Sequence, residues 1–187
     1  MTKIMIVYGT RYGAAASTSE EIAKILRQEG LDVQVVNAKE EKTKDIAGYD
    51  LVVVGSGIQI NRWTDEPEKF LKKFQKELAK KKVALFVCCG SASQALKIRE
   101  EARRKYLEEK AAKYNLQPIA LGLFGGVFDF NRWPWWAGKA KTMTMQQLDA
   151  AGFKSTNDIY DTRDWNAIRG WAKELVQKVH LGNGVSS

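Results

Sequence analysis

Apolar runs alternate with amphipathic stretches along the whole chain. The apolar runs, at 3–8, 32–37, 49–56, 82–89 and 118–124, predict five strands. Stretches with apolar residues at helical spacing predict helices at 18–29, 64–79, 93–114 and 163–179. The run at 32–37 alternates apolar and polar residues, which suggests an edge strand, whereas 49–56 and 82–89 are almost wholly apolar. Together, these patterns predict an α/β fold, a doubly wound five-stranded parallel sheet with helices on both faces.

In such a sheet, ligands bind at the carboxyl ends of the strands, where the winding reverses. The loops expected to meet there are 9–18, 55–63, 89–93 and 125–132. They combine glycines, which permit close backbone approach, with apolar and aromatic residues that supply flat walls. A planar heteroaromatic ligand with a phosphate tail fits this combination.

The first of these loops has a phosphate-binding character. It runs from a strand through Gly9-Thr-Arg-Tyr-Gly13 to a hydroxyl-rich stretch, Ser17-Thr-Ser19, with a Thr18-x-x-Glu21 capping box that predicts the helix start. It matches neither G-x-x-x-x-G-K-[ST] nor G-x-G-x-x-G, so a terminal phosphomonoester suits it better than a pyrophosphate. The alternative is an ordinary strand–loop–helix connection, because Ser and Thr are good N-caps in any case.

Length, composition and charge limit the number of domains, the cellular location and the kinds of partner that we expect. The 187 residues suffice for one domain, 1–187, and an apolar fraction of 44% argues against disorder. Without a long apolar run or a signal peptide, and with only two adjacent cysteines, we expect a cytoplasmic protein. The net charge of +8 allows an acidic protein or an anionic membrane as partner. Because the basic residues are dispersed, we expect no nucleic-acid partner.

Several motifs in sequence order resemble those of the flavodoxin family, in particular its protoporphyrinogen-dehydrogenase-like branch. They are Tyr8-Gly-Thr-Arg-Tyr-Gly13, Thr18-Ser-Glu-Glu-Ile-Ala23, Tyr49-Asp-Leu-Val-Val-Val-Gly-Ser-Gly-Ile58, Phe124-Gly-Gly-Val-Phe-Asp-Phe-Asn131 and Thr162-Arg-Asp-Trp-Asn-Ala-Ile-Arg-Gly-Trp-Ala172. The resemblance implies a flavodoxin-like sheet with strand order 2-1-3-4-5, noncovalently bound FMN and electron transfer. Two features depart from the family: residues 14–17 are extra before the predicted helix cap, and the net charge is basic.

The resemblance assigns cofactor contacts to the four loops. The candidate FMN-binding residues are Thr10, Arg11, Tyr12, Gly13, Ala14, Ser17, Thr18, Ser56, Gly57, Ile58, Gln59, Ile60, Asn61, Cys89, Gly90, Ser91, Gly125, Gly126, Phe128 and Asp129. Trp63 either stacks on the flavin or packs as a hydrophobic staple before the helix that follows it. We assign no catalytic residue and no metal site, since the sequence offers no evident acid–base constellation.

Three functions compete. The first is an FMN electron carrier that exchanges electrons with redox proteins such as a ferredoxin-like donor or a reductase. The second is an FMN-dependent oxidoreductase of the menaquinone-dependent protoporphyrinogen dehydrogenase type, with a weak anionic membrane contact through 132–141. The third is a module that has lost FMN. The Trp- and Lys-rich segment 125–161 is expected to be an irregular insertion; its tryptophans suit a membrane interface, a docking patch or packing on the last helix. The tail, 182–187, is expected to fray.

Overall fold

The strands and helices of this computed structural model, which describes residues 1–181, follow the alternating pattern of the sequence. The strands are β1 (Lys3–Gly9), β2 (Asp32–Asn37), β3 (Leu51–Gln59), β4 (Arg62–Trp63), β5 (Lys82–Cys88), β6 (Ala120–Phe124), β7 (Val127–Asp129), β8 (Ser155–Thr156) and β9 (Ile159–Asp161). The helices are α1 (Ala14–Gln28), α2 (Asp65–Lys73), α3 (Gln75–Leu78), α4 (Leu96–Arg103), α5 (Glu109–Lys113), α6 (Gly138–Ala150) and α7 (Trp165–Leu181). A π-helical turn, Arg104–Glu108, joins α4 to α5.

The main sheet is parallel in the order β2-β1-β3-β5-β6, which confirms the predicted order of the five principal strands. Strand β2 is at one edge, as its alternating pattern predicted. The short β4 pairs antiparallel with the end of β3 and so forms a hairpin beyond the sheet. This order reverses the winding between β1 and β3, which places the carboxyl ends of both strands beside a crevice.

Both faces of the sheet are covered by helices. Alternate residues of β1 point to opposite sides, so Ile4 and Ile6 pack under α1 and α7 while Met5 and Val7 pack under α2 and the π-helical turn. All of them are at most 3% exposed, and burial of each such side chain contributes about 1.5–3 kcal/mol. The two apolar layers hold the sheet rigid at the ends where its loops emerge.

Helix α1 begins four residues earlier than the capping box predicted. Gly13, with a φ of +88°, precedes the helix, and the alanines that follow it form the first turn. Thr18 and Ser19 are fully buried within the helix, so the Thr18-x-x-Glu21 pattern is not a cap. Residues 14–17 are therefore helix rather than an extension of the loop. Alanine has the highest helix propensity, which favours this earlier start.

The segment 125–161 is ordered rather than irregular. Its strands form a separate antiparallel sheet in the order β7-β9-β8, and α6 follows two short 3₁₀ turns. Phe130, Leu148 and Tyr160 form its own small core, against which Trp133 packs, while Val127 packs against the core that includes α7. Within residues 1–181 no helix is both long and apolar enough to cross a bilayer. The predicted frayed tail, 182–187, lies outside the described residues.

Candidate flavin site

A crevice lies at the carboxyl ends of β1, β3 and β5, and the segment after β6 closes one side of it. Its volume, about 390 Å³, is within the range typical of small-molecule sites. All four predicted loops contribute to its wall. The candidate residues that line it are Thr10, Arg11, Tyr12, Ala14, Gly57, Ile58, Gln59, Ile60, Cys89, Gly90, Gly126, Phe128 and Asp129.

The start of α1 forms one end of the crevice. The Gly13 N–H donates to Oγ1 of Thr10 at 2.9 Å, which folds the loop into a tight turn that needs the left-handed backbone of Gly13. Within the described chain, no side chain caps α1, and its first turn contains no acidic residue. Its N–H groups and its positive dipole end therefore remain available for an anion.

The hydroxyls expected around this anion lie elsewhere. Thr18 is fully buried and its Oγ1 contacts Cys88 Sγ at 3.5 Å, while Ser19 Oγ is buried without a hydrogen-bond partner among residues 1–181. Ser17 donates to the carbonyl of Gly13 at 3.0 Å and does not line the crevice. Because α1 begins at Ala14, residues 17–19 belong to its second turn rather than to its open end.

Arg163 contacts the first turn of α1 without lining the crevice, a role that the sequence did not predict. Its guanidinium donates to the Ala14 carbonyl at 3.0 Å and to Ser17 Oγ at 2.5 Å. It also pairs with the Asp161 carboxylate at 2.7 Å, and its side chain is only 7% exposed. Burial alone would raise the pKa of Asp161, but the hydrogen bonds from Arg163 outweigh burial and lower that pKa. The pair fixes α1 against the segment before α7.

The hairpin between β3 and β4 forms the second wall. Ile60 and Asn61 have φ values of +47° and +59°, so both central residues of its turn are left-handed, as in a type I′ turn. Asn tolerates this conformation, whereas a β-branched Ile is strained in it, and Ile60 is nonetheless 84% exposed. Strain of this kind, about 1–3 kcal/mol, persists only where the surrounding structure imposes it.

Two contacts at the base of the hairpin impose this shape. Ser56, a predicted flavin contact, is fully buried; its Oγ accepts from the Thr64 N–H at 3.0 Å and donates to the Gly57 carbonyl at 2.8 Å. Ser56 therefore supports the hairpin from inside rather than facing the crevice. Thr64, which was not predicted, does line the crevice.

The hairpin is also held from the π-helical turn. Trp63 is 3% exposed and its indole N–H donates to the Tyr106 carbonyl at 2.8 Å, so Trp63 packs in the core and does not stack in the crevice. The Tyr106 hydroxyl donates to Oδ1 of Asn61 at 3.0 Å. Asn61 and Ser91, both predicted contacts, border a separate depression beside Tyr106 instead of the crevice.

The adjacent cysteines lie at the end of β5 and both border the crevice. They belong to opposite cores, as expected for neighbouring residues of a strand. Burial raises the pKa of Cys88 to about 12 and that of Cys89 to about 11. Both are therefore neutral thiols at pH 7, which disfavours a nucleophilic role.

The segment after β6 supplies the last wall. Gly125 lies beneath it, where a Cβ would stand 2.1 Å from the carbonyl oxygen of Thr162; the position admits only glycine and does not line the crevice. Arg132 places its guanidinium over the Tyr12 ring at 5.6 Å and pairs with Asp129 at 3.1 Å. This segment adds four lining residues that were not among the candidate FMN contacts: Val127 and Arg132, which lie within the predicted loop 125–132, and Trp133 and Pro134, which lie beyond it.

The family model described as "Flavodoxin domain" matches residues 5–155 of the chain. The chain belongs to the flavodoxin domain family. This membership fits the parallel sheet and points to flavin binding.

Individual relatives of this flavodoxin-family chain include a quinone-linked dehydrogenase and a flavodoxin. It is 20% identical over 173 residues to a protoporphyrinogen IX dehydrogenase [quinone] of Escherichia coli (strain K12), covering 92% of this chain and 94% of the other. It is 27% identical over 96 residues to a flavodoxin of Maridesulfovibrio salexigens, covering 49% and 66%. A solved short-chain flavodoxin associated with a bacterial microcompartment shares the fold, with a TM-score of 0.60, 13% identity and coverage of 96% and 99%.

Proposed function

We propose that this flavodoxin-family protein binds FMN in the crevice and carries one or two electrons between redox partners. The observation that carries the proposal is the open start of α1, with no acid in its first turn, at one end of a cavity of about 390 Å³. An anion-binding end joined to flat, partly apolar walls matches a ring with a phosphate tail. When bound, FMN would supply the one- or two-electron chemistry itself.

The phosphate would be held by the backbone of the Thr10–Ala14 loop. The first-turn N–H groups of α1 are its donors, and the Arg11 side chain adds an exposed positive charge. Thr10 maintains the loop by accepting from Gly13. Arg163 would support this loop without contacting the phosphate, because its guanidinium already donates hydrogen bonds to Ala14, Ser17 and Asp161.

The ring would lie between the hairpin and the segment after β6. Ile58 and Phe128 provide apolar surface on the two sides, and the backbones of Gly57, Gly90 and Gly126 permit close approach. Ile60 would remain at the exposed rim. A partly exposed ring edge is what direct electron exchange with a partner protein requires.

The groups around the crevice favour a carrier over an enzyme with acid–base chemistry. Both cysteines are neutral thiols at pH 7. Asp129 already has two partners, since its carboxylate pairs with Arg132 and accepts a hydrogen bond from the Asn131 N–H at 3.1 Å. The net charge of +8 favours acidic redox partners, such as a ferredoxin-like donor or a reductase.

The carrier proposal is tested by following electrons through the purified protein. The protein is reconstituted with FMN, reduced without oxygen, and mixed with oxidised rubredoxin, an acidic electron acceptor, in one arm and with protoporphyrinogen plus menadione in the other. We expect rapid reduction of rubredoxin and no catalytic turnover of the porphyrinogen. Sustained porphyrinogen oxidation would favour the enzyme, and absence of flavin binding would overturn both.

A second candidate is an oxidoreductase that works at an anionic membrane surface through 132–141. Its support is a pair of indoles that face solvent, Trp135 at 92% and Trp136 at 74% exposure, with Lys139 nearby in the sequence. Indoles beside cations suit the headgroup region of a bilayer. The full-length similarity to a quinone-linked dehydrogenase adds to this support.

Vesicle binding tests this second candidate. Trp135 and Trp136 are replaced by Ser, whereas Trp133 is kept because its ring packs on Phe130 at 4.9 Å. The candidate expects cosedimentation with phosphatidylglycerol vesicles that falls at least about fivefold in the variant, since indole burial at the interface would be lost. Equal sedimentation of variant and wild type would remove the membrane contact. A Met143→Ser variant, exposed on α6, is the matched control.

A further inference from the structure

A second cavity, which we call the basic basin, adjoins the crevice on the outer side of the Thr10–Tyr12 loop. Its volume is about 640 Å³, and seven of its lining residues also line the crevice: Thr10, Arg11, Tyr12, Gln59, Ile60, Thr64 and Arg132. Lys39 and Arg62 line the basin but not the crevice, whereas Ala14 at the start of α1 lines the crevice but not the basin. The two spaces therefore adjoin, but each has its own lining residues.

Positive side chains outnumber carboxylates in the basin. They are Arg11, Lys39, Arg62 and Arg132, of which Arg11 and Arg132 also line the crevice; the carboxylates are Asp65 and Glu66. Arg132 is paired with Asp129.

The other three cations have no such partner. Among residues 1–181, Arg11, Lys39 and Arg62 form no salt bridge. Like charges gathered at one concavity repel one another, so an anion entering the basin would relieve that repulsion. The concavity favours a small molecule over a flat protein surface.

We propose that the basic basin binds a multivalent anion, a small molecule with two or more phosphate or carboxylate groups. Arg62 can bind an anionic group through two parallel N–H donors, and Lys39 adds a point charge, while Arg11, shared with the crevice, adds positive charge at the boundary. The mainly polar lining disfavours an uncharged quinone ring in this space.

The first test is titration calorimetry at low ionic strength on FMN-saturated protein. Pyrophosphate is the phosphate probe and citrate the carboxylate probe, so the two arms separate the possible sources of the charge. We expect saturable 1:1 binding of at least one probe. Lys39→Met and Arg62→Met should each weaken it about tenfold, the effect of losing one charge-assisted contact. Lys42→Met, an exposed lysine near Lys39 outside the basin, should leave it unchanged.

The FMN affinity of the same variants distinguishes this proposal from the previous one. Because Lys39 and Arg62 do not line the crevice, both variants should bind FMN as the wild type does. If neither probe shows saturable binding, or if the wild type and both variants bind a probe equally well, the proposal that the basic basin binds an anion is overturned. Probe binding that depends on Lys39 in a protein that takes up no FMN would instead overturn the electron-carrier proposal and keep the basin.

Discussion

The hydroxyl of Tyr106 lies 3.0 Å from Oδ1 of Asn61 and donates a hydrogen bond to it. This contact links a π-helical turn, which is uncommon in proteins and is often found at functional sites, to the strained turn of the hairpin beside the crevice. Tyr106 is 6% exposed, so its ring is fixed by packing and can hold Asn61 in its left-handed conformation. Tyr106 is thus a positioning residue for the hairpin.

Tyr106→Phe should therefore loosen the hairpin without disturbing the core. We expect a loss of about 1 kcal/mol in the free energy of unfolding, the usual contribution of one hydrogen bond, and FMN binding weakened several-fold. Tyr114→Phe is the matched control, because Tyr114 also loses a hydroxyl contact, to Glu68, but lies away from the crevice. Fluorescence titration measures the FMN affinity of the two variants. Equal affinity in both would contradict a positioning role for Tyr106.

The location of the phosphate cradle can be tested with two hydroxyl deletions. Thr10→Ala removes the acceptor that holds Gly13, and we expect FMN affinity to fall about tenfold. Ser19→Ala removes a buried hydroxyl that has no partner among the described residues, so FMN affinity should stay unchanged and stability should not fall. If Ser19→Ala weakened FMN binding as much as Thr10→Ala, residues 17–19 would be the cradle after all.

Replacing Gly125, which lies beneath the wall after β6, and Gly57, which lies in β3, tests how closely each glycine is packed. Gly125→Ala would bring a Cβ to 2.1 Å from the Thr162 carbonyl oxygen, and such overpacking should cost about 2–3 kcal/mol of stability. At Gly57 the nearest atom to a new Cβ is the Gly9 carbonyl oxygen at 4.0 Å, so Gly57→Ala should keep the stability within about 0.5 kcal/mol. Urea unfolding of both variants measures this contrast, and similar midpoints would disprove it.

Glu68 should make stability depend on pH. Burial alone would raise its pKa, but hydrogen bonds from Lys110, Lys113 and Tyr114 outweigh burial and lower the pKa to about 2. A pKa lowered by folding stabilises the protein above the ordinary value of 4.5, and this contribution is lost as the pH falls from there towards about 2.

Glu68→Gln should consequently be less stable than wild type by about 1–2 kcal/mol at pH 7, with the difference shrinking below pH 4. Glu77→Gln, an exposed residue with no salt bridge among residues 1–181, is the control. Unfolding curves at several pH values provide the comparison. A difference that stays constant from pH 7 to pH 3 would contradict the assignment.

Much of the fold was predictable because the strands are buried on both faces. Strand β3, for example, is a run of Leu and Val whose burial is almost complete, and the sequence pattern located it to within about three residues. The start of α1 was not predictable in this way. Thr18 and Glu21 satisfy a local capping pattern, yet Gly13 and the buried first-turn alanines set the real boundary through packing.

The site was predictable as far as topology determines it. Glycine-bearing loops at the carboxyl ends of neighbouring strands had to meet, and the crevice residues Gly57, Gly90 and Gly126 follow from that rule. Side chains that reach the site from a distance could not be inferred. Arg163 contacts Ala14 across 149 positions of the chain, and the segment around Arg132 has no strong periodicity that would predict its fold.

The central claim, that the start of α1 holds the phosphate of a bound flavin, is tested most directly by titrating the flavin-free protein with FMN and with riboflavin. The two ligands share the ring and differ in the phosphate. We predict 1:1 binding of FMN that is at least about 100-fold tighter than that of riboflavin, because a phosphate at a helix start gains several charge-assisted hydrogen bonds. Equal affinity for the two ligands, or no binding of FMN, would contradict the claim.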